Sequence, residues 1–291
     1  MIDFIVNPLA GGKDGKRIKK ALPKIEKYLV EHNVNYTIHV TSKPHHATEL
    51  TNLLISNGAT KIVVIGGDGT LHEVINGFSN FYKVALGVIP CGTGNDFASA
   101  LKLPLNPIKA LEQIVNGTPK YTDFLQLPTV RGLNIVGMGI DVDVLKKYRS
   151  LKKKTKFQYT MCLIKTLMKF NYTEFDAEIN NQTTHYRSFI ACIANGHRYG
   201  GGIPICPPAD PCDGELDFVA VSEIKKPAII PAFLKLKNGK LLTLKQSTHK
   251  KATEIKIVPN GDYCVNVDGE LYENIPFEVK IISNKLRVFR P

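Results

Sequence analysis

Three glycine-rich turns in the first 125 residues each follow directly on a short apolar run, and this feature limits the possible folds most strongly. The runs end at Val6, Ile65 and Ile89, and the turns are Asn7–Gly12, Gly66–Thr70 and Pro90–Phe97. Residues with a helical period separate the runs. Buried parallel strands have continuous apolar sequences and need helical crossovers between them. The first part of the chain is therefore predicted to be an α/β domain with a doubly wound, mostly parallel sheet.

The sequence pattern changes beyond Tyr121, where alternating runs and frequent turn residues replace the continuous apolar runs. Such spacing is typical of antiparallel strands. We predict a mainly antiparallel β-sandwich that also contains two helical segments, around Phe157–Phe170 and Pro227–Leu236. The predicted domains are residues 1–125 and 126–283, and the last strand, 284–291, can return to complete the first domain.

The net charge and the cysteine content indicate which kinds of binding partner and which cellular compartment the chain suits. The chain has 38 basic and 26 acidic residues, a net charge of +12, which favours an anionic partner. Its six cysteines form no CxxC pair, as expected for reduced thiols. We recognise no secretory leader and no apolar run of about 18 residues. These features predict a cytoplasmic protein that touches a membrane only peripherally.

The three turns are candidate ligand contacts because the carboxyl ends of neighbouring parallel strands meet at one edge of a sheet. Glycines there let the backbone approach a polyphosphate, and the following helix offers unpaired N–H groups. A carboxylate such as Asp68 fits this setting when a divalent cation lies between it and the phosphates. No P-loop, no G-x-G-x-x-G fingerprint and no zinc-ligand cluster is present. The turns therefore predict a nucleotide site of another kind.

The same turns resemble the diacylglycerol kinase catalytic family, which includes sphingosine and ceramide kinases and bacterial soluble lipid kinases. The matching motifs are NPLAGG at 7–12, GGDGTLHEV at 66–74 and PCGTGNDFA at 90–98. Further matches lie at Tyr121–Asp123, Asn195–Gly196, Gly200–Gly202, Asp213–Asp217 and Asp268–Glu270. The resemblance covers nearly the whole chain and implies a first domain of the NAD kinase/phosphofructokinase type.

The resemblance also implies roles for individual residues. ATP is expected to contact Asn7, Pro8, Leu9, Ala10, Gly11, Thr41, Gly66, Gly67, Asp68, Gly69, Thr70, Leu71, His72, Glu73 and Thr93. Asp68, Asp96 and Asp123 resemble the carboxylates that organise the catalytic Mg²⁺, and Glu270 resembles the base that takes the proton of the lipid hydroxyl. A second, structural Mg²⁺ is implied at Asp210, Asp213 and Glu215, with backbone carbonyls contributed by Asp210 and Glu215. The chain departs from the pattern at His72, where bacterial relatives commonly have Asn.

The implied reaction is the phosphorylation of a neutral lipid hydroxyl by ATP, with diacylglycerol as the acceptor and phosphatidate as the product. The resemblance also implies that the chain can form a homodimer. A basic stretch at Lys146–Lys156, followed by apolar residues up to Phe170, predicts transient contact with an anionic membrane surface. The same stretch is equally compatible with a solvated loop before an ordinary core helix.

Two other classes of function share some of these features. An NAD kinase or another small-alcohol kinase also carries GGDGT, but it would lack the Pro90–Phe97 turn and would not need the basic stretch. A catalytically silent relative that binds nucleotide, another anion or nucleic acid would use the positive charge. Because that charge is spread over both halves without stacking aromatics, we expect no nucleic-acid partner.

Overall fold

The computed structural model describes residues 1–151, 156–167 and 171–291. The segment predicted to contact membrane, 146–170, is thus described only in part, because residues 152–155 and 168–170 lie outside the described residues. The chain divides into two compact units, one formed by Met1–Asp123 with Ser283–Pro291 and the other by Phe124–Ile282. In the part of the chain that is described, no helix has the length and apolar character needed to cross a bilayer.

A parallel sheet forms the centre of the first unit. Its main strands are β1 (Ile2–Val6), β2 (Tyr36–Val40), β3 (Lys61–Gly66) and β4 (Ala85–Pro90). They pair in the order β2-β1-β3-β4, all in parallel. The last strand of the chain returns to this sheet, since Arg287 and Val288 pair in parallel with the start of β4. The apolar runs therefore form the mostly parallel sheet that the sequence predicts, and this part of the fold prediction is confirmed.

Helices cover the sheet of the first unit. They are α1 (Lys16–Glu31), α2 (His46–Ser56), α3 (Asp68–Gly77), α4 (Asp96–Ala100) and α5 (Pro107–Asn116). Apolar residues of α1 recur at helical spacing and pack with α5 residues and strand residues in one core, while the lysines of α1 face solvent. A strand, β5 (Lys120–Gln126), follows α5.

The start of α3 differs from the sequence prediction, which places Gly66–Thr70 in a turn before a helix at Leu71. The helix begins at Asp68 instead, and only Gly67, in an extended conformation, separates it from β3. An acidic residue in the first turn is favoured because the amino end of a helix carries partial positive charge. Most of the predicted turn is therefore the first turn of a helix.

The second unit is mainly antiparallel. Its strands are β6 (Arg131–Gly132), β7 (Ile135–Gly139), β8 (Thr173–Ile179), β9 (Gln182–Ala194), β10 (Leu216–Ser222), β11 (Ser247–Ala252), β12 (Glu254–Pro259), β13 (Cys264–Val267), β14 (Glu270–Glu273) and β15 (Glu278–Val288). The long β9 pairs with β8 in its first half and with both β7 and β10 in its second half. The predicted antiparallel sandwich is confirmed.

Two apolar layers fill the second unit. In β9, Ile190 and Cys192 point into one layer, whereas Ala191 and Ile193 point into the other, as the two-residue period of a strand requires. Three helices contribute buried residues to the first layer: α6 (Ile140–Arg149), α7 (Lys156–Leu167) and α8 (Ile229–Lys237). The sequence predicts α7 and α8 but not α6.

Candidate active site

The turns that follow β3 and β4 touch through their glycines. A Cβ atom added to Gly67 would lie 2.9 Å from the Cα of Gly92, and one added to Gly92 would lie 2.4 Å from the Cα of Gly67. The Cys91 N–H also donates to the Gly66 carbonyl at 2.8 Å. Because the two backbones are in direct contact, neither position has room for a side chain.

The turn after β1 lies against the same two turns. Asn7 Nδ2 donates to Thr70 Oγ1 at 3.0 Å, and Gly11, at a φ of +84°, leaves no space for a Cβ beside the Cys91 carbonyl. The Thr41 N–H donates to the Val6 carbonyl at 2.8 Å, which places the start of the β2–α2 connection at the end of β1. The prediction that the three turns share one edge of the sheet is confirmed.

Asp68 connects two of these turns through its carboxylate. Its Oδ2 accepts the backbone N–H of Asn95 at 2.7 Å, and its Oδ1 accepts that of Phe97 at 3.4 Å. Asn95 adopts a left-handed conformation, and its own Oδ1 accepts the Gly92 N–H at 2.9 Å. Asp68 thus orients the Pro90–Phe97 turn, a structural role that its sequence motif did not indicate.

The other two predicted Mg²⁺ carboxylates also belong to the first unit. Asp96 is the first residue of α4 and Asp123 lies in β5, and both side chains are buried. Like Asp68, they offer carboxylate oxygens, the type of donor that Mg²⁺ prefers, but among the described residues the three carboxylates do not lie close enough together to hold one ion by themselves. The glycine contacts leave backbone close to this edge without side chains, which suits the approach of a polyphosphate. The donor types therefore suit ATP and Mg²⁺, and ligation of one catalytic ion by these three carboxylates stays a prediction.

Two of the residues predicted to contact ATP have other partners. Glu73 Oε1 accepts the N–H of His45 at 3.0 Å and Oε2 accepts that of Ala47 at 3.1 Å, so this carboxylate caps the amino end of α2. His72 is buried within α3, and Asn76 donates to its backbone carbonyl. The nucleotide contacts of both residues stay predictions.

The predicted base, Glu270, lies in the second unit at the start of β14. The turn before it is held by Asp268, at a φ of +52°, whose carboxylate accepts three successive backbone N–H groups. These are the N–H groups of Leu133, Asn134 and Ile135, at 2.5, 2.9 and 3.0 Å. The turn that precedes Glu270 is therefore anchored by backbone far away in the sequence.

Arg149, at the end of α6, pairs with the predicted base. One of its nitrogens, Nη2, lies 2.6 Å from Glu270 Oε2 and 2.6 Å from the Gly269 carbonyl oxygen. Glu270 remains partly exposed, at 43% of its side-chain surface. This pairing is not visible in the sequence, because 120 residues separate Arg149 from Gly269.

A buried carboxylate lies behind the same turn. Asn266 Oδ1 accepts the Gly269 N–H at 2.8 Å, and Asn266 Nδ2 donates to Asp141 Oδ2 at 3.1 Å. Burial raises the pKa of Asp141 to about 6, mainly because the charged carboxylate loses its hydration. Asp141 therefore links α6 to the Asp268–Glu270 turn at an electrostatic cost above that pH.

The predicted structural Mg²⁺ residues lie in the turn before β10. Asp213 Oδ2 is 2.6 Å from Lys251 Nζ, and Glu215 Oε2 is 3.0 Å from the same nitrogen. Asp210 Oδ1 accepts the Cys212 N–H at 3.0 Å. Sequence reasoning missed Lys251, which lies on β11 in a polar strand that no apolar pattern marks.

The predicted residues thus fall into two groups. The glycine-rich turns with Asp68, Asp96 and Asp123 belong to the first unit, whereas Glu270 and the turn at 210–215 belong to the second.

Comparison with known proteins gives two family matches. The model of the diacylglycerol kinase catalytic domain matches residues 2–127, and the model of the YegS C-terminal NAD kinase beta sandwich-like domain matches residues 134–290. The two matches together span nearly the whole chain, and the second covers more than half of it.

Individual relatives agree with these models. The “Putative lipid kinase YtlR” of Bacillus subtilis (strain 168) is 27% identical over 312 residues, which covers 98% of this chain and 98% of the relative. A “Putative lipid kinase” of Staphylococcus carnosus (strain TM300) is 26% identical over 230 residues, 77% of this chain and 75% of the relative.

The fold also matches a solved structure. The crystal structure of a “putative diacylglycerol kinase” from Bacillus anthracis str. Sterne superposes with a TM-score of 0.78 at 24% identity, covering 100% of this chain and 96% of that one. The fold, the glycine-lined edge and the two family matches agree with one another. The chain therefore belongs to the family defined by the YegS C-terminal NAD kinase beta sandwich-like domain, with a diacylglycerol kinase catalytic domain before it, and is a phosphotransferase of the lipid kinase type.

Proposed function

We propose that the chain transfers the γ-phosphoryl group of ATP to the hydroxyl of a neutral lipid, with diacylglycerol as the acceptor and phosphatidate as the product. The contact between the three glycine-rich turns carries this proposal, because it builds a backbone-lined edge suited to a polyphosphate. The names of the relatives support a lipid acceptor.

The proposed chemistry needs positioning and charge compensation more than covalent catalysis. Backbone N–H groups at the amino end of α3 and the neighbouring turns would bind phosphate oxygens. Bound Mg²⁺, held by Asp68, Asp96 and Asp123, would supply neutralising charge. Glu270 would accept the hydroxyl proton as the acceptor oxygen bonds to the γ-phosphorus and ADP leaves.

We also propose that the second unit rests on an anionic membrane during catalysis. Helix α7 buries Cys162, Leu163 and Thr166 on one face. Three apolar residues at helical spacing, Phe157, Met161 and Ile164, are exposed on another face at 73, 37 and 38%. An exposed apolar stripe beside a basic stretch is typical of helices that lie at a lipid surface.

Helix α8 adds a second exposed apolar pair beside α7. Its Ile230 and Leu234, one turn apart, are 64 and 52% exposed. Both helices line one cavity of about 170 Å³, with Leu163 contributed by α7 and Phe233 by α8. The two stripes are therefore offered by neighbouring helices, which supports one apolar surface rather than two isolated patches.

A panel of acceptors tests the proposed function. The full chain, radiolabelled ATP and MgCl₂ are incubated with diacylglycerol, ceramide or sphingosine in mixed micelles, or with NAD. We expect label in the diacylglycerol product, and no label when EDTA replaces Mg²⁺. Label in NAD alone, or in none of the acceptors although the chain binds ATP, would contradict the proposal.

A further inference from the structure

The turn at residues 210–215 already contains a cation supplied by the protein. The ammonium group of Lys251 lies between the carboxylates of Asp213 and Glu215, at 2.6 and 3.0 Å. The three side chains are only partly exposed, at 34, 26 and 45%. This is the turn for which the family resemblance implies a second, structural Mg²⁺.

Local hydrogen bonds fix the acidic side of this contact. Asp213 Oδ1 accepts the N–H of Glu215 at 3.0 Å, so its Oδ2 is left to face Lys251. Between these two residues, Gly214 has a φ of +78°, a conformation that glycine adopts at little cost. The turn therefore presents its carboxylate oxygens in a set direction.

Strand pairing fixes the basic side. Residues 216–221 of β10 pair antiparallel with 252–247 of β11, and Lys251 lies directly opposite the buried Asp217. Directly opposite residues of an antiparallel pair share a face of the sheet. The backbone carbonyl of Lys251 also accepts a hydrogen bond from Asn180 at 3.0 Å. Lys251 is thus positioned by a strand ladder and not by a loop.

Lysine and Mg²⁺ cannot serve this turn at the same time. Mg²⁺ requires oxygen ligands at about 2.0–2.1 Å in a nearly octahedral arrangement. Of the implied ligands, the Asp213 carboxylate here contacts the Lys251 nitrogen instead, and the Glu215 side chain holds the same nitrogen beside its own backbone carbonyl. The ammonium group would also repel a divalent ion bound close to it, and more strongly at a partly buried site than in bulk water. The residues present therefore do not fit a second Mg²⁺ while Lys251 is in place.

We infer that Lys251 takes the place of the structural Mg²⁺ in this chain and holds the 210–215 turn without metal. The inference concerns the stability of the second unit and does not depend on which lipid is phosphorylated. It assigns no part in the transfer of phosphate to Lys251.

Hydrogen exchange of the full chain, without nucleotide, tests this inference locally. The readout is the exchange rate of a peptide covering residues 208–218, measured in EDTA and in millimolar MgCl₂. This peptide contains none of the residues predicted to hold the catalytic Mg²⁺, so binding of that ion does not disturb the readout. For the wild type, we expect equal protection in both conditions.

Three variants show whether the ammonium group of Lys251 itself protects the turn, or whether any change of a strand lysine has the same effect. In EDTA, Lys251→Met should exchange about tenfold faster at 208–218, the scale of losing a hydrogen bond to a charged group. Millimolar MgCl₂ should restore its protection, because the Asp213 carboxylate is then free to bind the ion together with the backbone carbonyls of Asp210 and Glu215. Lys251→Arg should keep wild-type protection in EDTA. Lys256→Met, which changes an exposed strand lysine on β12, serves as the matched control.

Three outcomes of the exchange experiment would contradict the inference. Wild-type protection that rises with MgCl₂ would overturn it, as would a Lys251→Met variant that exchanges like the wild type in EDTA. Loss of protection that MgCl₂ does not restore would also overturn the claim that lysine replaces the ion. If Lys251→Met does not fold, the wild-type comparison and Lys251→Arg still give the answer.

Discussion

Asp68 combines a structural contact with a predicted catalytic one. Its carboxylate accepts two backbone N–H groups of the Pro90–Phe97 turn, and the same group is expected to help hold Mg²⁺. Loss of activity in an alanine variant would therefore not separate the two roles. A change that preserves one oxygen acceptor is needed to distinguish them.

We expect Asp68→Ala to abolish turnover and to lower the free energy of unfolding by about 1–3 kcal/mol, because backbone donors lose a charged acceptor. Asp68→Asn should retain most of the stability, since its amide oxygen can still accept the Asn95 N–H, yet should lose about 10³-fold or more in kcat. Thermal unfolding and steady-state kinetics give both quantities. Near-wild-type kcat in Asp68→Asn would contradict the predicted metal role.

Glu270 and Arg149 form a second test at the scale of single residues. Glu270→Gln should lower kcat by about 10²-fold or more, the usual scale for loss of a general base. Arg149→Met should lower kcat less, by about tenfold, because the base keeps its place in the turn but loses its ion pair. In the double variant, the loss in kcat should be smaller than the product of the two single losses, because the ion pair matters only while the base is present. Glu273→Gln, on the same strand, is the matched control, and an equal loss there would refute the assignment of Glu270.

At the scale of elements, α6 connects a buried charge to the turn of the predicted base. Below the ordinary pKa of 3.8, Asp141 is neutral in the folded and unfolded chain and has no electrostatic cost. As the pH rises through about 6, the folded state must bury a charge that the unfolded state exposes to water. Stability that is present in acid is therefore lost toward neutral pH.

Asp141→Asn should remove this pH dependence while its amide oxygen still accepts the Asn266 hydrogen bond. The variant should be more stable than the wild type by about 3 kcal/mol at pH 8, and the difference should shrink toward pH 4. Urea unfolding across this range measures it. Asp262→Asn, an exposed position away from this helix, is the control. A variant less stable than the wild type at pH 8 would show that a compensating cation stabilises the carboxylate.

The sequence predicts strands well where their residues are buried and apolar. It predicts them poorly where pairing with neighbouring strands determines that a polar segment is extended. Strands β3 and β4 are continuous apolar runs and are found where predicted. Strand β14, with sequence ELYE, and β11, with only Ala252 buried, have no such pattern, because pairing with β13 and β10 holds them in place. The predicted last strand, 284–291, is the end of a longer strand, β15, which runs from Glu278 to Val288 although Asn284 adopts a left-handed conformation at a φ of +56°.

In the candidate site too, features set by the local sequence are predictable and contacts with distant residues are not. The glycine-rich turns are visible in the sequence because each must stay free of side chains, as the contact of Gly67 with Gly92 shows. The partners of the acidic residues are not visible, because Arg149 and Lys251 are brought to Glu270 and Asp213 by contacts over long sequence distances. A single sequence indicates which chemistry is present but not which charges are already paired.

At the scale of the whole molecule, the net charge of +12 and the apolar stripe of α7 predict binding to anionic vesicles. Flotation should show binding to vesicles that contain phosphatidylserine, little binding to phosphatidylcholine alone, and release by high salt. Phe157→Ser with Ile164→Ser should reduce binding, whereas Val30→Ser, an exposed apolar change on α1, should not.

A charge-matched comparison separates a local basic stretch from net charge. Changing Lys152, Lys153 and Lys154 to Gln removes three charges from the predicted membrane segment, and changing Lys19, Lys24 and Lys27 to Gln removes three from α1. We expect a larger loss of binding from the first set. Equal losses would show that net charge alone attracts the chain to the vesicle, and the segment would then have no special role.

Phosphorus NMR of the reaction tests the central claim, that the glycine-lined edge holds ATP for transfer to a lipid hydroxyl. The wild-type chain is incubated with ATP, MgCl₂ and a short-chain diacylglycerol, and the phosphorus signals are followed over time. We predict a growing phosphate monoester signal of the lipid, equal in amount to the ADP formed. ADP accompanied only by inorganic phosphate, or ATP that stays intact, would contradict the account.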